Sequence, residues 1–320
     1  MDVETGAILA LQILALCSIV AALLAYLMRQ SRNANEEYEM RSKRYVLVTS
    51  CDTCIGLQLA LALSEAGYKV FAGLLDPAGN SHGTKILEAV ELQRTRAKDL
   101  ESVEESPVAS SDVRSPGQII TVELDSTRED SLRTCFDAVK AKLPAGENGL
   151  WAVVHTGGLA LPGVIERQAS SAWESMLRHN LVAPLRAARV FIPLLRAKRG
   201  RIILLGDSDT SFGSMVGAGL VAFSASRKAV EGAAEALRAE LCVSGVDVVL
   251  LKPPSVNPLA LYGPPVLKAS EKKLTTELPE GTWIAPLTAQ SVKSSLIPAL
   301  TSTCPYKSYN MSKSSRIFCR

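Results

Sequence analysis

Residues 45–74 read YVLVTSCDTCIGLQLALALSEAGYKVFAGL. Two short apolar runs, Tyr45–Thr49 and Lys69–Leu74, flank a helical stretch near Ile55–Ala66. Neither run shows sustained polar alternation, as expected of strands covered on both faces. The whole is a strand, a turn, a helix and a second strand.

The same alternation continues along the chain. Further strands are predicted at Gln118–Leu124, Leu150–Val154, Arg201–Leu205 and Asp247–Leu251, with helices near Arg128–Lys142, Ser170–Arg196 in two pieces, and Phe223–Val243. Strands that alternate with longer helices build a parallel sheet with helices on both faces. The expected fold class is therefore α/β, a Rossmann-type doubly wound parallel sheet in a single domain over residues 44–310, with 311–320 as a tail. Residues 98–117, KDLESVEESPVASSDVRSPG, are charged and rich in Ser and Pro, and are expected to be a disordered insertion. From Pro253 to about Ala289 the chain reads as a loop-rich flap, where specificity would reside.

Ahead of the domain, residues 6–28 read GAILALQILALCSIVAALLAYLM, 23 residues without a charge. A helix of that length spans about 34 Å, enough to cross a bilayer. The acidic residues Asp2 and Glu4 disfavour a secretory leader, and the lack of an Arg-rich, acid-poor pattern disfavours a mitochondrial transit peptide. A retained transmembrane anchor is the expectation. Residues 29–43 are a polar linker, and Arg29, Arg32, Arg41, Lys43 and Arg44 favour the cytoplasmic side for the main domain. The expected location is a single-pass membrane protein of the endoplasmic reticulum with its main domain cytosolic, a mitochondrial membrane being the alternative.

Composition narrows the function. The 320 residues carry 35 Lys+Arg against 32 Asp+Glu and are 47% hydrophobic, which excludes collagen-like and wholly disordered chains and gives ample core. A net charge of +3 is too small to signal a nucleic-acid partner. Seven scattered cysteines read as reduced thiols. The Cys51–Cys54 pair has redox-motif spacing, but it lies in a turn that another pattern fits better. His82, His155 and His179 have no metal-ligand spacing, and no G-x-S-x-G turn suggests a hydrolase.

The turn after the first strand reads Thr49-Ser-Cys-Asp-Thr-Cys-Ile-Gly56. Downstream come Leu124-Asp125, then Gly149-Leu-Trp-Ala-Val-Val-His-Thr-Gly-Gly158, His179-Asn180-Leu181, Gly200-Arg-Ile-Ile203 and Phe223-Ser-Ala-Ser-Arg227. This ordered series resembles the short-chain dehydrogenase/reductase family, most closely the branch of D-β-hydroxybutyrate, retinol and 17β-hydroxysteroid dehydrogenases. The resemblance implies an oxidoreductase of lipophilic alcohols or ketones, a steroid, retinoid or hydroxy acid, using NAD or NADP. It also implies membrane association and pairing of two subunits through the helices at Ser170–Arg196 and Phe223–Val243.

In the family the turn is TGxxxGxG, so the glycines fall on Ser50, Cys54 and Gly56, and only the last is kept. The implied cofactor residues are Thr49, Ser50, Cys54, Ile55, Gly56, Asp125, His155, Gly157 and Pro253. The catalytic positions map to Asn180, Thr210, Phe223 and Arg227. Phe223 stands where the family has the proton-transferring tyrosine, and Arg227 where it has the lysine. Phenylalanine has no hydroxyl to donate, and a guanidinium does not exchange protons near neutral pH. Lys228, five positions on, turns away on a helix and is no substitute. Anchoring on Gly213 places Thr210 at the family's serine, and anchoring on the strand places Asp207 there instead. Asn180 also suits a structural kink, His155 a buried core position and Asp125 a helix cap. Strand two ends in Gly73-Leu74 with Asp76 beyond, which leaves NAD against NADP open. The loss of both ionising partners makes activity weak or absent, and the alternative is an inactive pseudoenzyme that binds a ligand or partner.

Overall fold

The computed structural model describes residues 3–79, 81–103, 115–208, 219–254, 256–266, 285–302 and 304–311. The chain divides into two units, residues 1–43 and 44–320. The first is a single helix, α1 (Val3–Ser42). Its Leu14–Ser42 portion, with a mean hydropathy of 1.6, is the one stretch among the described residues long and apolar enough to cross a membrane. The helix does not stop at Met28: the charged residues expected as a linker stay helical to Ser42, where Arg41 pairs with Glu37. Ion pairs of this spacing support a solvated helix by a few tenths of a kcal/mol, roughly 0.2–0.5 each.

The second unit runs β1 (Tyr45–Val48), α2 (Cys54–Glu65), β2 (Lys69–Leu74), α3 (His82–Val103), β3 (Ile119–Glu123), α4 (Glu129–Lys142) and β4 (Ala152–His155). It continues through α5 (Ser170–Leu177), a π turn (Arg178–Val182), α6 (Ala183–Arg196), β5 (Arg201–Leu205), α7 (Val221–Leu241) and β6 (Asp247–Lys252). A short α8 (Pro258–Tyr262), α9 (Ala289–Thr301) and β7 (Ser308–Asn310) close it. The sheet order is β3-β2-β1-β4-β5-β6-β7, and every pairing is parallel.

Alternate residues of each central strand feed two cores. Val46, Val48, Ala152, Val154, Ile203, Leu205, Val249 and Leu251 face the side that holds α2 and α9. Tyr45, Leu47, Val153, Ile202, Leu204, Val248 and Leu250 face the side that holds α4 and α6. Because both faces are buried, the strands carry no polar alternation.

Four elements were not anticipated from sequence: α3, α9, β7 and the short α8, which lies in the stretch expected to be flap. α3 occupies what was expected to be loop, burying Ile86, Leu87 and Ala89, and it reaches Val103. The first residues of the supposed disordered insertion, 98–103, are thus helical; residues 104–114 lie outside the described residues. α9 packs Val292, Leu296, Ala299 and Leu300 onto α2, and Trp151 Nε1 donates to the Leu300 carbonyl at 3.0 Å. β7 adds a parallel edge strand, with Leu250 opposite Ser308.

The strand order reverses between β1 and β4, whose register sets Val48 beside Val154. In open α/β sheets the crevice beyond the carboxyl ends at such a reversal is where ligands bind.

Candidate active site

The turn leaving β1 requires glycine at one position. Thr53 caps α2, its hydroxyl accepting from the Gly56 N–H at 3.1 Å and donating to the Ser50 carbonyl at 2.8 Å. A Cβ on Gly56 would stand 1.9 Å from that same carbonyl oxygen, so no other residue fits. Thr49 is buried, and its hydroxyl accepts from the Thr156 N–H at 3.4 Å. Ile55 points into the core and does packing work. The Cys54 N–H, at the start of α2, donates to the Gly263 carbonyl at 2.9 Å, and its thiol lies 3.5 Å from the Pro264 carbonyl. Burial pushes that thiol above the ordinary cysteine range. Asp52, in the same turn, accepts from the Leu75 N–H at 2.6 Å, tying the turn to the end of β2.

Above the ends of β4 and β5 the crevice holds side chains. His155 closes β4 with 3% exposure, and its Nε2 has no hydrogen-bond partner. Burial first, then the positive charge of Arg227, pulls its pKa down to about 3, so the ring is neutral. The next two glycines leave space that is already used. A Cβ on Gly157 would lie 2.9 Å from His155 Cε1 and from Ser50 Oγ, and one on Gly158 would lie 1.8 Å from Arg227 Nη2.

Arg227, on α7, is 1% exposed. Its Nη2 donates to the Gly157 carbonyl at 3.3 Å and its Nη1 to the Leu205 carbonyl at 3.5 Å, while Nε has no partner. Its guanidinium carbon sits 4.1 Å above the Tyr262 ring centroid and 5.7 Å from that of Phe223. The Phe223 and Tyr262 rings are themselves 5.8 Å apart. Burial pulls Arg227 below the ordinary guanidinium range, with Tyr262 and Asp207 opposing, and pushes the Tyr262 phenol up. Lys228 is on the exposed side of α7, paired with Glu231 at 3.3 Å.

The remaining residues expected at the site are engaged elsewhere. Asn180, inside the π turn and fully buried, accepts from the Leu159 N–H at 2.7 Å and donates to the Leu159 carbonyl at 2.9 Å and to Ser226 Oγ at 2.8 Å. All its polar capacity but one lone pair is thereby directed at protein atoms. Asp125 accepts from the Thr127 N–H at 2.9 Å and its hydroxyl at 2.7 Å, locking the entry to α4. Pro253 is buried just past β6. Thr210 lies outside the described residues. Asp207, the other reading for the serine position, is buried beyond β5 and accepts from the Ser208 N–H at 2.9 Å. Among the described residues no cluster of His, Cys, Asp and Glu is placed to hold a metal ion.

The family model described as short chain dehydrogenase matches residues 98–260, half of the chain. The protein belongs to the short-chain dehydrogenase family. Among curated proteins it is 26% identical over 250 residues to rat mitochondrial D-beta-hydroxybutyrate dehydrogenase, covering 78% of this chain and 65% of that protein. It is likewise 26% identical to human short-chain dehydrogenase/reductase family 9C member 7, over 81% of this chain and 72% of the relative. Mouse retinol dehydrogenase 16 is 29% identical over 66% of this chain and 56% of its own length. The chain thus spans just under two thirds of the rat hydroxybutyrate enzyme. Of solved structures, a gluconate 5-dehydrogenase from Burkholderia cenocepacia in complex with NADP and tartrate superposes with a TM-score of 0.51 at 17% identity. That match covers 66% of this chain and 71% of the other. A short-chain type dehydrogenase/reductase from Mycobacterium marinum gives 0.52 at 18%, covering 66% and 74%. These two share the fold.

Membership of the short-chain dehydrogenase family implies NAD or NADP in the crevice. The residues present do not fit it: the first N–H of α2 is bonded to Gly263, and the bare faces of Gly157 and Gly158 are filled by His155, Ser50, Arg227 and Tyr262. The participants that sequence reasoning missed are Tyr262 and the carbonyls of residues 263 and 264. They lie in the stretch read as a flap, and no local motif links them to the turn some 210 residues earlier.

Proposed function

We propose that the protein is a membrane-anchored short-chain dehydrogenase descended from NAD(P)-dependent oxidoreductases of lipophilic alcohols and ketones, in which hydride transfer is weak or absent. The observation that carries this reading is the buried pair Phe223 and Arg227 at the crevice, where the family places tyrosine and lysine. Neither can donate or accept a proton near neutral pH. Loss of one proton-transfer group costs roughly 10²–10⁴ in rate, and here the asparagine that would extend the relay is also bonded to protein atoms.

The substrate class rests on relatives that are named hydroxybutyrate and retinol dehydrogenases. A hydroxy acid, a retinoid or a steroid is the chemistry to try. Helix α1 supports anchoring, and the basic residues after its apolar part support a cytosolic domain. The endoplasmic reticulum is the reading we favour, with a mitochondrial membrane second. A homodimer through α5, α6 and α7 is supported by Leu177 on α5, Val182 in the π turn and Leu185 on α6, all more than a third exposed.

A second reading, a catalytically inactive module that binds a ligand or partner, is favoured by the Arg227–Tyr262 stack in the crevice. One experiment separates the two. The full chain in detergent is assayed with a steroid, a retinoid and a short hydroxy acid, each with NAD and NADP, beside the Phe223→Tyr, Arg227→Lys double variant. Trace turnover that rises in the double variant supports an impaired enzyme, and none in either supports the inactive module. Robust wild-type turnover refutes both.

A further inference from the structure

Three features outside the family's known machinery stand out. One is Arg201, whose guanidinium clamps the carbonyls of Ala299 and Ser302 and so holds α9. Another is the ionic cluster of Lys228, Glu231, Lys252 and Asp207 at the ends of β5 and β6, which is satisfied within itself. The third is the segment 257–266, and its contacts reach furthest.

We propose that residues 257–266 act as a strap that fills the nucleotide crevice from within the chain, so that NAD(P) can bind only when the strap leaves. The strap touches both ends of the crevice. At one end the Tyr262 ring covers the Arg227 guanidinium at 4.1 Å and tilts against Phe223 at 5.8 Å. No slot for a planar ring remains between them, since stacked π systems need about 3.4–4 Å on each face. At the other end the Gly263 carbonyl takes the Cys54 N–H, the Pro264 carbonyl faces the Cys54 thiol, and the Pro265 carbonyl lies 3.0 Å from His82 Nδ1.

The Cys54 contact is the decisive one. A helix start presents unpaired N–H groups and a partial positive charge, which is why phosphates settle there. Here a backbone carbonyl of the same chain accepts that hydrogen bond in place of a phosphate oxygen. The cysteine adds bulk where the family has a bare glycine, and its thiol is turned to the strap. Within the strap, Asn257 Oδ1 caps α8 by accepting from the Leu259 N–H at 3.0 Å, and Leu261 and Tyr262 join the core on the α2 side.

The closure is reversible on this chemistry. A pyrophosphate offers the α2 N-terminus charged acceptors, and charge-assisted hydrogen bonds are roughly twice as strong as neutral ones. The strap therefore lowers apparent nucleotide affinity by the fraction of molecules in which it is open. This holds whether or not the chain turns over a substrate.

The test uses the full chain in detergent with NAD, NADH, NADP and NADPH as probes. Titration calorimetry compares wild type with Tyr262→Ala, and hydrogen exchange follows the amides of residues 54–56 and 259–263. The expected result is at least about tenfold tighter binding by the variant, with Cys54 and strap amides exchanging faster in it. In wild type, saturating nucleotide deprotects residues 259–263. Should Tyr262→Ala fail to fold, Cys54→Gly serves, since it removes the thiol contact and the side-chain bulk at the helix start while leaving the amide in place. Equal affinities for wild type and variant overturn the proposal. So does a variant whose strap amides are open but which still binds no nucleotide, because the strap is then not what excludes it.

Discussion

Acidification should destabilise the fold through His155. The imidazole is 3% exposed, its Nε2 lacks a partner, and burial followed by the charge of Arg227 takes its pKa from 6.5 to about 3. Folded, the ring stays neutral; unfolded, it takes up a proton below about pH 6.5. Between those two values the unfolded chain binds more protons than the folded one, so stability declines as pH falls, and above the window His155 contributes nothing. The slope is about 1.4 kcal/mol per pH unit, which gives about 2 kcal/mol by about pH 5. Asp52 and Asp207 act in the opposite sense, because burial raises their carboxyls and the folded state takes up their protons first. A comparison with His155→Gln isolates the imidazole from these carboxylates. Urea unfolding of the full chain in detergent, from about pH 7 to about pH 5, should cost wild type about 2 kcal/mol more than the variant. Parallel pH profiles for the two proteins would refute the assignment of a buried neutral ring beside Arg227.

Distances at the site set three further outcomes. Gly56→Ala should lower stability by about 1–3 kcal/mol or prevent folding, because its Cβ meets the Ser50 carbonyl, and thermal unfolding measures this. Asn180→Leu should cost about 2–4 kcal/mol in urea unfolding, since it orphans the partly buried N–H and carbonyl of Leu159, while Asn180→Ser should recover part of the loss. In the Tyr262→Ala variant, NAD should bind at least about fivefold more tightly than NADP by calorimetry, because the carboxylates of Asp52 and Asp76 flank the end of β2 and repel a 2′-phosphate.

Six of the seven strands, β1 to β6, could be read from sequence because both faces of the sheet are covered, so each is a bounded apolar run such as Arg201–Leu205. The edge strand Ser308–Asn310 has no such run; it is held by backbone pairing to β6, which leaves no side-chain signature. α3 was obscured because its buried residues cluster in its first turns and its later part is charged. At the site, Phe223 and Arg227 were singled out by the resemblance, as the positions of the family's tyrosine and lysine, and both side chains are buried on α7. Tyr262 was not, because what brings it there is a carbonyl of the next residue bonding to an amide 209 positions earlier in the chain, and backbone bonds carry no residue code.

Cys54, Phe223, Arg227 and Tyr262 make physical sense as a set. Phe223 offers no polar group that a buried neighbour could bond, which leaves Arg227 to reach the carbonyls of Gly157 and Leu205 at 3.3 and 3.5 Å, both long for hydrogen bonds. A buried cation with such weak partners is costly unless something else stabilises it. The face of Tyr262 supplies that, since a desolvated guanidinium over an aromatic ring gains about 2 kcal/mol or more. To bring the phenol into place, the chain after α8 must descend onto α2, and the Gly263 carbonyl then meets the amide that a phosphate would otherwise use. Cys54 closes the same gap with its thiol. On the proposed strap, Cys54, Phe223 and Arg227 therefore favour one state, the closed crevice, and Phe223→Tyr alone would leave the guanidinium and the strap where they are.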